Sequence, residues 1–178
     1  MAGQTAAGIA PAYTQQQPVV YAPAPVSPYG GFWIRLLAHI IDHIAVSIVT
    51  VPLYLILVLP AALRIATEAE RNGEPSPEMI MSIVGAGSTF IILVLVGLWL
   101  YEALLTSSSW QGTIGKRVLH LKVTDEAGNR ISFGRATGRF FGKILSQMIM
   151  YIGYIMIAFT DRKRGLHDML AGTLVMKY

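Results

Sequence analysis

The stretch Gly31-Phe32-Trp33-Ile34-Arg35-Leu36-Leu37-Ala38-His39-Ile40-Ile41-Asp42-His43 opens an apolar run that continues to about Leu59. Four ionisable side chains stand in its first turns. Arg35, His39, Asp42 and His43 fall at i, i+4, i+7 and i+8, the spacing of one helical face, and Ser47 and Thr50 extend it. A helix over residues 34–59 measures about 39 Å, enough to cross a ~30 Å hydrocarbon core with some tilt. An Asp or Arg near mid-bilayer costs about 2.5–3.5 kcal/mol on insertion scales, so it normally faces protein or water and has a partner. Arg35 and Asp42 therefore call for partners elsewhere in the chain.

Composition points the same way. Of 178 residues, 53% are apolar and only 13% charged, about half the charged share of an ordinary soluble domain. Together with long apolar runs, this implies an integral membrane protein of one domain. With no cysteine, disulfides, thiolate metal sites and cysteine nucleophiles are excluded. The net charge of +4 lies beside apolar segments, where it reads as membrane orientation and anionic-lipid contact rather than nucleic-acid binding.

Residues 1–30 contain no charged side chain and five of the nine prolines. Such a composition buries too little apolar area to offset chain entropy, so a disordered Pro/Gln-rich tail is expected. It lacks the basic and apolar regions of a signal peptide. Its other reading is a ligand for a partner, with Tyr13, Tyr21 and Tyr29 as handles. The membrane domain then covers residues 31–178.

A second span is expected over residues 79–105, after a polar connector at 64–78. Ser82, Gly85, Ala86, Ser88 and Thr89 give its first half a small-residue surface. Glu102 near its far end reads either as an interfacial carboxylate or as a partner facing the first span. Val118–Thr124 alternates like a strand, Asp125–Asn129 like a turn, and Arg130–Phe133 like a return strand, so a small cytoplasmic β-hairpin is expected. Gly112-Thr113-Ile114-Gly115-Lys116 lacks the spacing of a phosphate loop. Ser132 can cap a helix on which Arg135, Arg139 and Lys143 line up at i, i+4, i+8 as an edge facing anionic lipid headgroups. Gly134, Gly138, Gly142 and Ser146 form a small-residue row beside them.

The third apolar segment, 138–160, is ambiguous. The basic residues of 116–143 and Arg162-Lys163-Arg164 both belong in the cytoplasm by the positive-inside tendency, with the N-terminus there too. A third full span would separate them. A re-entrant hairpin broken at Gly153 would keep them together, if protein covers its irregular backbone.

Several stretches are similar to the RDD family of bacterial integral membrane proteins, named for one Arg and two Asp. They are Gly31–Ala38, Ile41-Asp42, Gln111–Leu119, Leu121-Lys122-Val123, and Arg162-Lys163-Arg164-Gly165-Leu166-His167-Asp168-Met169-Leu170-Ala171-Gly172-Thr173. The resemblance covers residues from about 31 to the end, and implies that Arg35, Asp42 and Asp168 are the name-giving triad. His39 and His43 lie outside the family pattern. A transport role has been proposed for the group.

The expected architecture is thus an all-α membrane protein of the bacterial cell membrane, with two full spans, a third apolar segment and a small hairpin. Two functions fit. One is a small transporter or ion-coupled exchanger, or a subunit of one, with Asp42 as the cation or proton site. The other is a non-transporting scaffold or partner subunit whose charges form a clasp; two spans and a hairpin make a thin wall for a conduit, so a transporter would need a homo-oligomer or a membrane protein partner. Arg35 and Asp42 sit about 10 Å apart along their helix. Partners from other segments are therefore expected, Arg35 with Asp168 and Asp42 with Arg164 or His167. His39, Asp42, His43, Glu102 and His167 supply metal-ligand types without a matching motif, so neither metal nor cofactor is expected. No nucleophile–base pair marks an enzyme.

Overall fold

The computed structural model describes residues 27–149 and 152–178. The expected disordered tail, with any partner site at Tyr13 and Tyr21, lies outside the described residues up to position 26.

The first apolar run forms α1 (Phe32–Leu57), which carries Pro52 inside it. It stops just short of Leu59 because Pro60 has no backbone N–H to continue the ladder and instead opens the next helix. That helix, α2 (Leu59–Asn72), ends on Gly73 in the left-handed conformation at φ 80°, which glycine adopts without a Cβ penalty. Ser76 then caps α3 (Pro77–Ser107), accepting a hydrogen bond from the Met79 N–H at 3.4 Å. Helices α1 and α3 are long and apolar enough to cross a membrane. Tyr54 and Phe90 stack edge-on between them with ring centroids 5.6 Å apart. Ile44, Ile48, Ile91 and Ile92 stay exposed, as lipid-facing side chains do.

Around one end of these helices lies a layer of short elements: α4 (Ile114–Val118), β1 (Leu121–Asp125), α5 (Phe133–Met148), α6 (Ile152–Phe159), α7 (Leu166–Leu170) and β2 (Thr173–Lys177). Ser132 caps α5 through the Arg135 N–H. Strands β1 and β2 pair antiparallel, Val123 opposite Val175. The 125–129 turn forms, with the Asp125 carboxylate accepting from the Ala127 and Asn129 N–H groups. However, the chain leaving it does not return as a strand. β1 takes its partner from the C-terminus, so the sheet is not a hairpin. Local alternation identifies a strand but not a partner from a distant segment.

The tail boundary also moves. Gly30 N–H donates to the Val175 carbonyl and Lys177 N–H to the Pro28 carbonyl, each at 2.8 Å. Pro28–Gly30 thus lie along the free edge of β2, where backbone groups offer pairing whatever the side chains. Beneath the sheet, Leu121, Val123 and Val175 join Ala38, Ala103, Ile131 and Ala136 in one buried cluster.

Helices α5 and α6 together pass for a third span in composition but are bent by 102°. Helix α5 ends at Met148 and α6 begins at Ile152, just ahead of Gly153. That glycine is held close: a Cβ there would lie 2.6 Å from Ser146 Oγ and 2.9 Å from Leu166 Cβ. The chain after α6 comes back to the same end of the molecule. Arg164 pairs with Glu126 of the 125–129 turn at 2.6 Å, and the Lys163 carbonyl accepts from Arg35 at 2.5 Å.

The tightest backbone approach joins α4 to α1. A Cβ on Gly115 would fall 2.0 Å from the Ala38 carbonyl oxygen, whereas the space around Gly138 is open. Gly115→Ala should therefore destabilise by about 3 kcal/mol or more, since a backbone atom cannot step aside. Gly138→Ala should be neutral or stabilising by up to about 1 kcal/mol through helix propensity. Thermal unfolding of both variants in detergent tests this; equal effects would contradict the packing.

Candidate functional site

Two buried carboxylates organise the polar end. Asp168 sits at the third position of α7, fully buried, where its Oδ2 also accepts from the Gly165 N–H at 3.3 Å. Arg35 Nη1 donates to Oδ2 at 2.5 Å, while Arg139 approaches Oδ1 with Nε and Nη2, each at 2.8 Å. Arg35 spends its other donors on carbonyls, Nε on Gly30 at 2.6 Å and Nη2 on Lys163. One guanidinium therefore ties α1 to the strand edge, the basic loop and α7. This planar fork suits several fixed acceptors at once.

The charges continue beyond Asp168. Arg139 Nη1 lies 3.4 Å from Glu102 Oε1 on α3, and Lys143 Nζ donates to the same oxygen. Glu102 is thus a buried partner, but of α5 rather than of α1. The expectation that Arg135, Arg139 and Lys143 form one headgroup-facing edge is corrected here. Arg139 is 2% exposed and Lys143 half-buried, both turned inward by carboxylates that a buried setting leaves no other way to neutralise. Arg135 alone of the three points outward. Of the small-residue row, Gly142 serves close packing, with a Cβ there 3.2 Å from His167 Cα.

Asp42 is the second centre. It does not meet Arg164 or His167. Tyr101 Oη and the Gly115 N–H donate to its Oδ1, each at 2.7 Å, and Thr113 Oγ1 donates to Oδ2 at 2.5 Å. The Thr113 hydroxyl in turn accepts from Lys116 Nζ at 3.3 Å. The Gly112–Lys116 stretch is thus a carboxylate cradle, and Gly115 is needed because a backbone donor must come within reach of a helix. Tyr101, Thr113, Gly115 and Lys116 were not identifiable as partners from periodicity, although a buried Asp lacking a basic partner calls for donors of this kind.

His39 and His43 stay on the exposed face of α1, rings 4.2 Å apart and His43 Nδ1 3.2 Å from the His39 carbonyl. Arg164 pairs with Glu126 at the surface. His167 packs against the Tyr154 ring at 4.9 Å, its Nε2 3.6 Å from Asp168 Oδ1. Among the described residues, no three His, Asp or Glu side chains are placed to hold a metal ion.

The electrostatics follow from burial and these contacts. Burial would raise the Asp168 carboxyl, but the Arg139 and Arg35 guanidiniums outweigh it and hold Asp168 well below the usual carboxylate range. Burial lowers His167 to about 3; Asp168 opposes this, while Arg139, Lys143 and Arg35 reinforce it. His167 is therefore a neutral ring against a charged cluster.

Comparison with known sequences places this architecture. A sequence model of the RDD family matches residues 29–172. The chain is 43% identical over 149 residues to the "Uncharacterized protein YxaI" of Bacillus subtilis (strain 168), covering 82% of this chain and 95% of the relative. It is 31% identical to "Uncharacterized protein YckC" of the same organism over 165 residues, 88% and 85% of the two chains. It is 28% identical to the organism's "Uncharacterized membrane protein YteJ" over 158 residues, 83% and 80%. No solved structure matches it.

Because Asp168 serves two arginines, exchanging Arg35 and Asp168 would set an arginine against Arg139, so a charge swap should not restore stability. A cycle with neutral variants is the cleaner test. Arg35→Met and Asp168→Asn should each lose about 3–5 kcal/mol, and the double variant clearly less than their sum. Strict additivity in denaturant unfolding would refute the pairing. His167 should make a separable contribution to the pH response. Its folded value lies below the unfolded 6.5, so unfolding takes up a proton between these values and stability falls as pH falls. From pH 6.5 to 5 the wild type should lose about 2 kcal/mol more than His167→Gln. Asp168 stabilises above its unfolded value near 3.9, and this contribution fades only in stronger acid.

Proposed function

The chain belongs to the RDD family, and from that premise we propose that it is a membrane-embedded scaffold or partner subunit whose Arg35, Asp42 and Asp168 form a structural clasp. The observation that carries this reading is the occupation of both aspartates by fixed donors. Asp168 is shared by two buried guanidiniums, and Asp42 accepts from Tyr101, Thr113 and Gly115. A carboxylate that binds a travelling cation needs lone pairs to offer it and must not be hemmed in by fixed positive charge. The clasp holds α4–α7 and the sheet against the ends of α1 and α3.

The same geometry supports a re-entrant course for α5 and α6. The Arg164–Glu126 pair and the Arg35 contact with the Lys163 carbonyl keep both basic stretches at one end. On the positive-inside tendency that end, with the N-terminus, faces the cytoplasm of a bacterial cell. Arg135 and Arg162, both exposed, are then the residues for anionic headgroups. Two spans leave most of α1 and α3 uncovered, so the working unit is a homo-oligomer or a complex with another membrane protein.

Ion-coupled exchange is the second reading, favoured by one observation: the Thr113 hydroxyl links Asp42 to the buried Lys116 ammonium. Proteoliposome flux separates the two. Wild type and Asp42→Asn, an internal pH dye, and pulses of Na⁺, K⁺ or Li⁺ should give no proton movement above protein-free liposomes. Cation-dependent flux in the wild type, abolished in the folded mutant, would replace the clasp with an exchange site. For topology, the absence of native cysteine lets Lys177→Cys report alone. It should react in intact cells only with membrane-permeant thiol reagents; labelling by an impermeant one would support a third full span.

A further inference from the structure

The buried cluster does not balance. Four basic side chains, Arg35, Lys116, Arg139 and Lys143, stand with three carboxylates, Asp42, Glu102 and Asp168. Arg35 and Arg139 are paired with Asp168, and Arg139 and Lys143 with Glu102. Lys116 is different. Among the described residues it has no carboxylate within ion-pair distance, although it is only 7% exposed. Its Nζ donates to the neutral hydroxyl of Thr113, which cannot offset a charge.

A buried ammonium in this position has two ways to lower its energy: a counter-anion, or loss of its proton. The surroundings favour the second. Gly112 packs against the side chain: a Cβ on Gly112 would touch Lys116 Cβ at 3.2 Å and lie 3.7 Å from its Cδ. Three elements bring charge to bear on it: Asp42 from α1, which also carries the nearby His39; Glu102 from α3; and Lys143 and Arg139 from α5. The arginines keep their protons at any physiological pH, and Glu102 and Asp168 are each held by two cations.

We infer that Lys116 is an exchangeable proton site within the buried cluster, taking up and releasing one proton while the ion pairs around it persist. On release an N–H bond breaks, its electron pair stays on Nζ as the lone pair of a neutral amine, and the proton passes to a water molecule or buffer base. The cluster then holds three cations and three carboxylates. The amine can also accept a hydrogen bond, which lets the Thr113 hydroxyl turn from Asp42 towards Nζ. Protonation of Lys116 is thereby coupled to the donor set of Asp42. Burial first, then the Lys143 charge, draws the amine from the ordinary lysine range to about 7, against the pull of Glu102 and with Arg139 adding to it. This inference concerns an equilibrium and depends on neither functional reading: a scaffold and an exchanger would both carry such a site.

The test uses the full-length protein in detergent micelles with its five lysines labelled at Cε, observed by carbon NMR from pH 5 to 10. One resonance, absent in Lys116→Arg, should titrate within about one pH unit of 7. If that resonance stays flat until above pH 9.5, the inference fails. Should Lys116→Arg not fold, Lys116→Met provides both the assignment and a second measurement. Between pH 7 and 10 the wild-type folding equilibrium should gain up to about tenfold per pH unit relative to Lys116→Met, because only the unfolded lysine is protonated there. Parallel pH profiles of the two proteins would overturn it equally. Neither measurement involves flux, so a null transport result leaves the site standing, and failure here leaves the clasp untouched.

Discussion

The contact between Asp168 and the two guanidiniums of Arg35 and Arg139 is the constraint on which the other elements depend. Asp168 sits on α7, a helix too short to hold its place by propensity, and its flanking segments are a basic loop and a terminal strand. Two arginines from longer helices give it an address. Arg35 also accepts the task of fixing Gly30 and Lys163 through their carbonyls, so one side chain sets the entrance to α1, the return of the chain after α6 and the start of α7. Taking these charges out of water carries a desolvation penalty that the pairing only partly offsets. The return lies in uniqueness of arrangement, since any shift of α7 would strand a charge in an apolar setting.

Asp42 solves the same problem without an opposite charge in direct contact. A tyrosine, a threonine and a backbone N–H surround it, and hydrogen bonds to a charged form stabilise that form. This solution demands close approach. Gly115 delivers its N–H only because it has no side chain to collide with the Ala38 carbonyl. The two aspartates thus hold the polar layer to α1 at points separated by about two helical turns, one by ionic forks and one by a cradle of neutral donors. Two separate attachments prevent the layer from pivoting on either one.

How much of this could be read from the sequence depends on the range of the signal. The two long apolar helices were legible because a long apolar run has few alternatives in water, and their limits differ by about two residues from those expected for the spans. Arg35 and Asp42 stood out as ionisable groups within such a run. The inward turn of Arg139 and Lys143 did not, because a helical stripe defines a face without saying what it faces. Their partner Glu102 belongs to a different helix. The strand at Leu121–Asp125 was visible in its alternation, whereas its pairing with Thr173–Lys177 is a contact between segments that no local pattern records. Pro28–Gly30 join the sheet by backbone groups alone, so composition placed them in the tail. Lys116 was hidden by its neighbours: one lysine among the seven basic residues of 116–143 looks like orientation charge until burial singles it out.

The way charge is distributed bears on what the protein can do. From Ile44 to Leu57 on α1 and from Met79 to Gly97 on α3 no side chain is charged, and on these two helices the ionisable groups other than Tyr54 and Glu78 concentrate at one end. A pathway across the membrane needs polar groups along its length, spaced so that an ion can pass from one to the next. Here they form a compact layer in which nearly every donor is matched to an acceptor. Such a layer is suited to holding its elements in one arrangement. The exception is the extra positive charge of Lys116 near Asp42, where a change of protonation would alter the layer without breaking an ion pair. A change of charge on Lys116 would be felt first by Thr113 and Asp42, where α4 meets α1.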